Sequence, residues 1–267
     1  MTKLFMLLLV AFATLCCVSC SDDDDDKNKD FPTEDPNDPN IVRTITLTVD
    51  TYSTVEFTLD NEKWYDRDYP EISVGKCPFP KDLSVDWGDG SVTSSNTHKY
   101  EISGKYNIVI SAKDLKWFSS DYDDITAIDL KRCNSLVGID MYEAELRSLD
   151  VAGFTELKYL EISDAHLETL NANGCEKLVV LKCYGNDLTS LDVSGCTALT
   201  YLKCYGNDLT SAALNQIFED LPQGKTWTEK DNGNEREMQS TIEIWSNPGT
   251  EDCDKNIAEN KGWIVID

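Results

Sequence analysis

Apolar and polar positions recur at a fixed interval through the middle of the chain. Leu136, Leu157, Leu178 and Leu199 are each 21 residues apart, and the same phrase follows each: LVGIDMYEAEL, LKYLEISDAHL, LVVLKCYGNDL and LTYLKCYGNDL. A second phrase repeats in step with the first, as ITAIDLKRCNS, LRSLDVAGFTE, LETLNANGCEK and LTSLDVSGCTA. One such coil cannot bury its apolar face alone, so neighbouring coils must stack and share a continuous core. Residues 125–210 therefore predict a solenoid. Its inward columns are Ile139, Leu160, Leu181 and Leu202, then Met141, Ile162, Cys183 and Cys204, then Leu149, Leu170 and Leu191.

The flanks carry other patterns. Over residues 41–118, VRTITLTVD, STVEFTLD and YNIVISA alternate apolar and polar positions as half-buried strands do. LSVDWGDGSV places Gly88-Asp89-Gly90 as a tight turn between two strands. After Leu209 the repeat is interrupted. SAALNQIFEDL predicts a helix capped by Ser211, with Leu214, Ile217, Phe218 and Leu221 on one face. Residues 223–240 are polar and predict a loop. TIEIWSN then realigns with the repeat, Ile242, Ile244 and Asn247 matching Leu202, Cys204 and Asn207. A short helix over roughly 252–259 and the strand WIVI follow, so residues 211–267 predict irregular final coils and a helix-containing cap.

Strand side chains alternate between faces, so the residues between the inward ones must point off the sheet. One outward column is Tyr142, Ser163, Tyr184, Tyr205 and Trp245; the next is Asp140, Glu161, Lys182, Lys203 and Glu243; a third holds Tyr159 and Tyr201. Aromatic rings give large contact area at low entropic cost, and their faces suit sugars as well as protein. The candidate binding residues are thus Tyr142, Tyr159, Lys182, Tyr184, Tyr201, Lys203, Tyr205 and Trp245. Tyrosine also favours exposed strand positions for its own sake, where it stacks on its neighbours. Both readings of the ladder stand.

The repeated phrase resembles the leucine-rich-repeat consensus L-x-x-L-x-L-x-x-N-x-L, with Asn186 and Asn207 at the polar position and Ala144 and Ala165 departing from it. That resemblance implies that the outward columns line a concave binding face, as in internalin-like surface proteins. VDWGDG…HKY…GKYNIVISA resembles the polycystic-kidney-disease (PKD) type domain, an immunoglobulin-like β-sandwich. It implies that Trp87 is core, that Asp86 and Asp89 hold the turn and that His98 is structural. The expected fold is mainly β with some α: a PKD-like sandwich over 41–118, leucine-rich repeats over 125–210, and a cap over 211–267.

Lys3 precedes an apolar run from Leu4 to Val18, too short and too soon followed by charge for a comfortable membrane span. Residues 1–19 predict a secretory signal. Cys17-Val18-Ser19-Cys20 resembles a bacterial lipobox, which implies a lipid on Cys20, although Cys17 stands where Leu is usual. Asp22 to Asp26 and the Pro/Asp/Asn-rich stretch to residue 40 predict an extended, solvated tether. Its composition is similar to that of surface-exposed lipoproteins of the Bacteroidetes, which implies anchoring in the outer membrane with the protein facing outward; a spacer facing the periplasm is the alternative.

Ten cysteines in an exported chain suggest disulfides. Yet Cys133, Cys175 and Cys196 share a column with Phe154, and Cys183 and Cys204 share one with Met141 and Ile162. Cysteine exchanging with Phe, Met and Ile behaves as a small buried hydrophobe. These five are expected as core thiols rather than disulfide or metal ligands; whether Cys77 and Cys253 pair is open.

The formal net charge of −25, from 49 acidic and 24 basic residues, opposes nucleic acid and anionic lipid as electrostatic partners. No cofactor is implied. Three functions are weighed. The foremost is a non-enzymatic surface-anchored adhesion or binding lipoprotein taking a protein or glycan. The second is a structural spacer or accessory subunit. The third is a carboxylate-based hydrolase, disfavoured because the chain lacks a phosphate-binding loop, a nucleophile–His–carboxylate set or metal-ligand spacing.

Overall fold

A computed structural model describes residues 35–38, 40–51, 54–60, 76–120, 125–231 and 234–267. The chain divides into two units, Met1–Thr33 and Glu34–Asp267. The expected signal segment, the lipobox with Cys20, and the aspartate run lie outside the described residues.

Alternating sequences on the N-terminal side form strands β1 (Arg43–Thr51), β2 (Thr54–Glu56), β3 (Ser84–Asp86), β4 (Val92–Thr93), β5 (Thr97–Lys99) and β6 (Gly104–Ala112). In β1 every second residue is buried, so Ile45, Leu47 and Val49 face the core while Thr44, Thr46 and Thr48 face out. β1 pairs antiparallel with β6 over its whole length. The resulting five-stranded sheet has the order β4-β3-β6-β1-β8, its last strand β8 being Ile125–Arg132, and β2 and β5 form a separate pair. The Gly88 turn is held as expected: Gly88 N–H donates to Asp86 Oδ1 (3.0 Å) and Ser91 N–H to Asp89 Oδ1 (2.9 Å). Trp87 is fully buried, with Phe57 and the His98 ring stacked against it. His98 Nε2 lies 2.7 Å from Asp89 Oδ2.

The passage into the solenoid crosses the expected boundary twice. β7 (Trp117–Ser120) leaves the N-terminal region to become the first strand of the long parallel sheet, while β8 (Ile125–Arg132) returns to pair with β1. The long sheet then takes β9 (Gly138–Tyr142), β11 (Tyr159–Ser163), β13 (Val180–Lys182), β14 (Tyr201–Lys203), β17 (Thr241–Glu243) and β18 (Ile264–Ile266), in that spatial order. Each pairs in parallel with the next, Tyr159 with Val180 and Tyr201 with Thr241, so equivalent residues stack into the columns read from the sequence. The realignment of TIEIWSN holds: Leu202 lies opposite Ile242.

The leucine-rich-repeat expectation is corrected at this point. From the coil of Leu149 onward the second phrase forms its own short parallel ladder, β10 (Ser148–Asp150) with β12 (Thr169–Asn171), extended by a bridge from Asn171 to Asp192. In S-L-D and T-L-N the leucine is buried and both neighbours are exposed, a period of two that only a strand satisfies. With strands on both faces, the coil is that of a parallel β-solenoid of about seven turns, a β-helix. The core between the faces is close to dry: Ile139, Leu160, Leu181 and Leu202 are all fully buried.

Two expectations in the C-terminal region also change. α1 (Ser211–Asp220) is capped by Thr210 rather than Ser211, the Thr210 hydroxyl accepting from Ala213 N–H (3.3 Å). The stretch expected as a loop is a hairpin, β15 (Thr226–Asp231) with β16 (Asn234–Gln239), paired antiparallel with Trp227 opposite Met238. α2 (Asn256–Glu259) leads into β18.

Candidate functional site

The outward face of the long sheet is built by the repeat itself, which places one side chain per coil in each column. In the column nearest the strand starts, Trp117, Gly138, Tyr159, Val180 and Tyr201 follow one another, and all are buried. Tyr159 and Tyr201 were expected as exposed binding residues. They do point off the sheet, but other parts of the chain cover them: Cys77 packs on this column, as do Trp227 and Met238 of the hairpin. Trp227 meets Tyr201 edge to face, with centroids 5.7 Å apart, and Trp117 stacks on Tyr159 at 5.9 Å. Nothing in the local pattern marks Cys77, Trp227 or Met238 as cover. Trp117 was legible, since Leu115, Trp117 and Phe118 stand 21 residues before Leu136, Gly138 and Ile139 and carry the period one coil upstream.

The middle column is charged and largely neutralises itself. Glu161 pairs with Lys182 (3.4 Å) on the next coil, and Lys203 with Glu243 (3.3 Å). Lys182 is buried and its Nζ also lies 5.7 Å from the centre of the Tyr159 ring, while the Tyr159 hydroxyl donates to Glu161. The expected gradient from acid to base therefore becomes a set of paired charges. Lys182 and Lys203 are engaged within the sheet.

The third column is the one that reaches solvent. Tyr184 and Tyr205 stack with centroids 4.6 Å apart and planes at 11°, and Tyr205 stacks on Trp245 at 3.8 Å and 13°. Trp245 is 41 % exposed, Tyr142 37 %, and Tyr184 and Tyr205 are half-buried. Ser163, between Tyr142 and Tyr184, is fully buried. Burial, with the nearby Glu161 charge second, pushes the Tyr184 phenol well above its usual range. Tyr142 is also raised, chiefly by the Asp164 carboxylate. These phenols are neutral at physiological pH, so the face offers π-surface and hydroxyl groups rather than charge.

The column is held in register by a buried ladder of amides. Asn186 Oδ1 accepts from the N–H groups of Ala165 (3.0 Å) and Leu167 (2.9 Å) of the coil before it. Asn207 does the same for Leu188, and Asn247 for Leu209. Each amide nitrogen donates to two or three carbonyls, those of Cys183, Cys204 and Tyr205 for Asn207. The coil carrying Ala165 is thus capped by the asparagine of its successor.

The five cysteines of the repeat take no part in this face. Cys133, Cys175, Cys183, Cys196 and Cys204 are buried free thiols, as their columns required, and Cys77 and Cys253 do not pair with each other. Burial pushes the Cys133, Cys175 and Cys204 thiols up to about 12. Such thiols are inert.

Comparisons with protein-family models, curated proteins and solved structures found no match to this chain.

Proposed function

We propose that this protein is a non-enzymatic binding or adhesion module, exported and held at the outer membrane by a lipid on Cys20, that takes a protein or glycan on the outward face of its long sheet. The observation that carries the reading is the exposed stack Tyr184–Tyr205–Trp245, with Tyr142 two strands away. Three rings locked in register by a backbone ladder present a rigid aromatic surface with little entropy left to lose on binding. Within the proposal, Tyr142, Tyr184, Tyr205 and Trp245 make contact, while Tyr159, Tyr201, Lys182 and Lys203 pack beside them on the same face. The acidic tether holds the module away from the membrane. The N-terminal strands, with their WGDG turn and buried Trp87, are proposed as a PKD-like spacer.

A second reading, a structural spacer or accessory subunit, draws support from the burial of Tyr159 and Tyr201 and from the pairing of the central charges. One experiment separates them. The purified protein is screened on glycan arrays and against extracellular proteins, beside a variant carrying Tyr184→Ala, Tyr205→Ala and Trp245→Ala. A binder loses about tenfold or more of its affinity in the variant. Binding unchanged by the triple substitution sinks this site, and a protein that captures nothing on either screen is a spacer.

A further inference from the structure

Charges on the solenoid pair from one coil to the next: Arg147 with Glu168, Glu156 with Lys177, Glu161 with Lys182 and Lys203 with Glu243. The turn that follows the ring column departs from this. Its five copies, residues 143–147, 164–168, 185–189, 206–210 and 246–250, hold six carboxylates and one arginine, and that arginine is bound to Glu168. Glu143, Glu145, Asp164, Asp187 and Asp208 have no Lys or Arg partner among the described residues; Asp187 lies 4.0 Å from His166. Like charges on neighbouring coils repel, so this row adds nothing to the coil stack.

The carboxylates border the rings. Glu143, Asp164, Gly185 and Gly206 directly follow Tyr142, Ser163, Tyr184 and Tyr205, one per coil, all with left-handed backbone (φ 58°, 52°, 66° and 63°). Glycine takes that conformation without steric cost and a longer side chain does not, yet the first two coils carry a carboxylate there. That of Asp164 lies where a Cβ on Gly185 would stand, beside the first ring of the stack, and it is also the carboxylate that raises the Tyr142 phenol. The rings stack along the coil axis, so their faces meet one another and their edges meet solvent. With centroids 4.6 and 3.8 Å apart no further ring fits between them, and a pyranose needs an open face to stack on. Phenol oxygens and ionised carboxylates accept hydrogen bonds, so the strip calls for donors and positive charge.

We propose that the partner taken here is a protein, held through an extended arginine-rich segment that lies along the coil axis over the rings and their bordering carboxylates; the proposal rests on the reading of this face as a binding surface. Guanidinium fits what the strip offers. It carries five N–H donors in a planar fork that pairs with a carboxylate through two parallel bonds, and a weakly hydrated plane that packs on aromatic carbon. Lysine brings a more strongly hydrated point charge and should bind less well. Coils are about 4.8 Å apart, so the row from Glu145 to Asp208 is about 14 Å long, which about four or five extended residues span. The net charge of −25 steers a cationic segment to the molecule, and the row beside the rings fixes where it lies.

Fluorescence anisotropy of the purified protein with labelled peptides tests the proposal, each peptide about ten residues long and alternating serine with arginine, lysine or glutamate. The arginine peptide should bind best, the lysine peptide less well and the glutamate peptide not at all. Binding should weaken by about tenfold or more between about 0.05 M and about 0.5 M NaCl. Glu143→Gln, Asp164→Asn, Asp187→Asn and Asp208→Asn together should weaken the arginine peptide by about tenfold or more, with circular dichroism unchanged. Neutralising as many exposed carboxylates elsewhere, by Glu56→Gln, Asp114→Asn, Glu176→Gln and Glu219→Gln, should cost no more than about twofold, which separates the site from the overall charge. No binding of the arginine peptide, or equal loss in the two variants, overturns the proposal. A glycan whose binding is lost with Tyr184→Ala, Tyr205→Ala and Trp245→Ala but kept with the four amides also overturns it, while leaving the face a binding surface. An arginine peptide indifferent to both the ring and the amide substitutions sinks the proposal and the face together.

Discussion

Asn207 shows how much one polar side chain contributes to this fold. It is buried, accepts from Leu188 N–H and donates to the carbonyls of Cys183 and Cys204, so it joins two coils at once. Asn207→Ala strands those groups away from water, and an unsatisfied buried group costs about 1–3 kcal/mol. Urea denaturation of Asn207→Ala should show a loss of about 2–4 kcal/mol, since more than one partner is stranded. Asn207→Asp should recover only part of that loss, because a carboxylate accepts but cannot donate. The asparagines could be recognised from sequence because they sit at one phase of the period. The partner of the Ala165 coil could not, because its cap comes from Asn186, 21 residues downstream.

Among the elements, the hairpin β15–β16 most changes the picture of the binding face. It is inserted between α1 and β17, anchored at its base by Ser240 N–H donating to Lys225 O (2.9 Å) and Lys225 N–H to Ser240 Oγ (2.9 Å). Its apolar contribution comes from Trp227 and Met238, both half-buried against the Tyr159–Val180–Tyr201 column. Replacing residues 226–239 with a short Gly/Ser turn should leave the solenoid folded, since each parallel strand pairs without the hairpin. The loss of two half-buried side chains should cost about 2–3 kcal/mol. The newly exposed column should increase the fluorescence of an added apolar dye; a variant that unfolds outright would show the hairpin to be part of the core. Gly138 makes a complementary point about fit between coils: a Cβ there would fall 1.9 Å from the Trp117 ring, so the first two strands of the long sheet pack only around glycine.

For the whole molecule, the exchange of β7 and β8 matters more than the length of the repeat. Because β8 completes the N-terminal sheet beside β1 and β7 begins the solenoid sheet beside β9, neither part is closed without a strand from the other side of residues 121–124. Residues 34–267 should therefore unfold as one cooperative unit. Calorimetry should give one transition. Residues 34–120 and 125–267 produced separately should each show lost or strongly reduced structure by circular dichroism. Two resolved transitions, or two well-folded fragments, would show instead that the shared strands contribute little.

The sequence by itself determined the period, the inward and outward columns, the burial of the five repeat cysteines, the strand of WIVI and the return of the repeat at TIEIWSN. All of these follow from spacing along one chain: a 21-residue step repeats the same local choice, and stacking turns that choice into a column. The β-helix cross-section was present in S-L-D and T-L-N, but resemblance to a longer consensus hid it. What covers a column is different in kind. Tyr159, Tyr184, Tyr201 and Tyr205 are the same residue in two outward columns of one sheet, yet two are sealed under the hairpin and Cys77 while two stack in reach of solvent. Only the tertiary structure decided that, because the covering residues come from segments with no place in the period, and burial depends on what arrives from elsewhere in the chain.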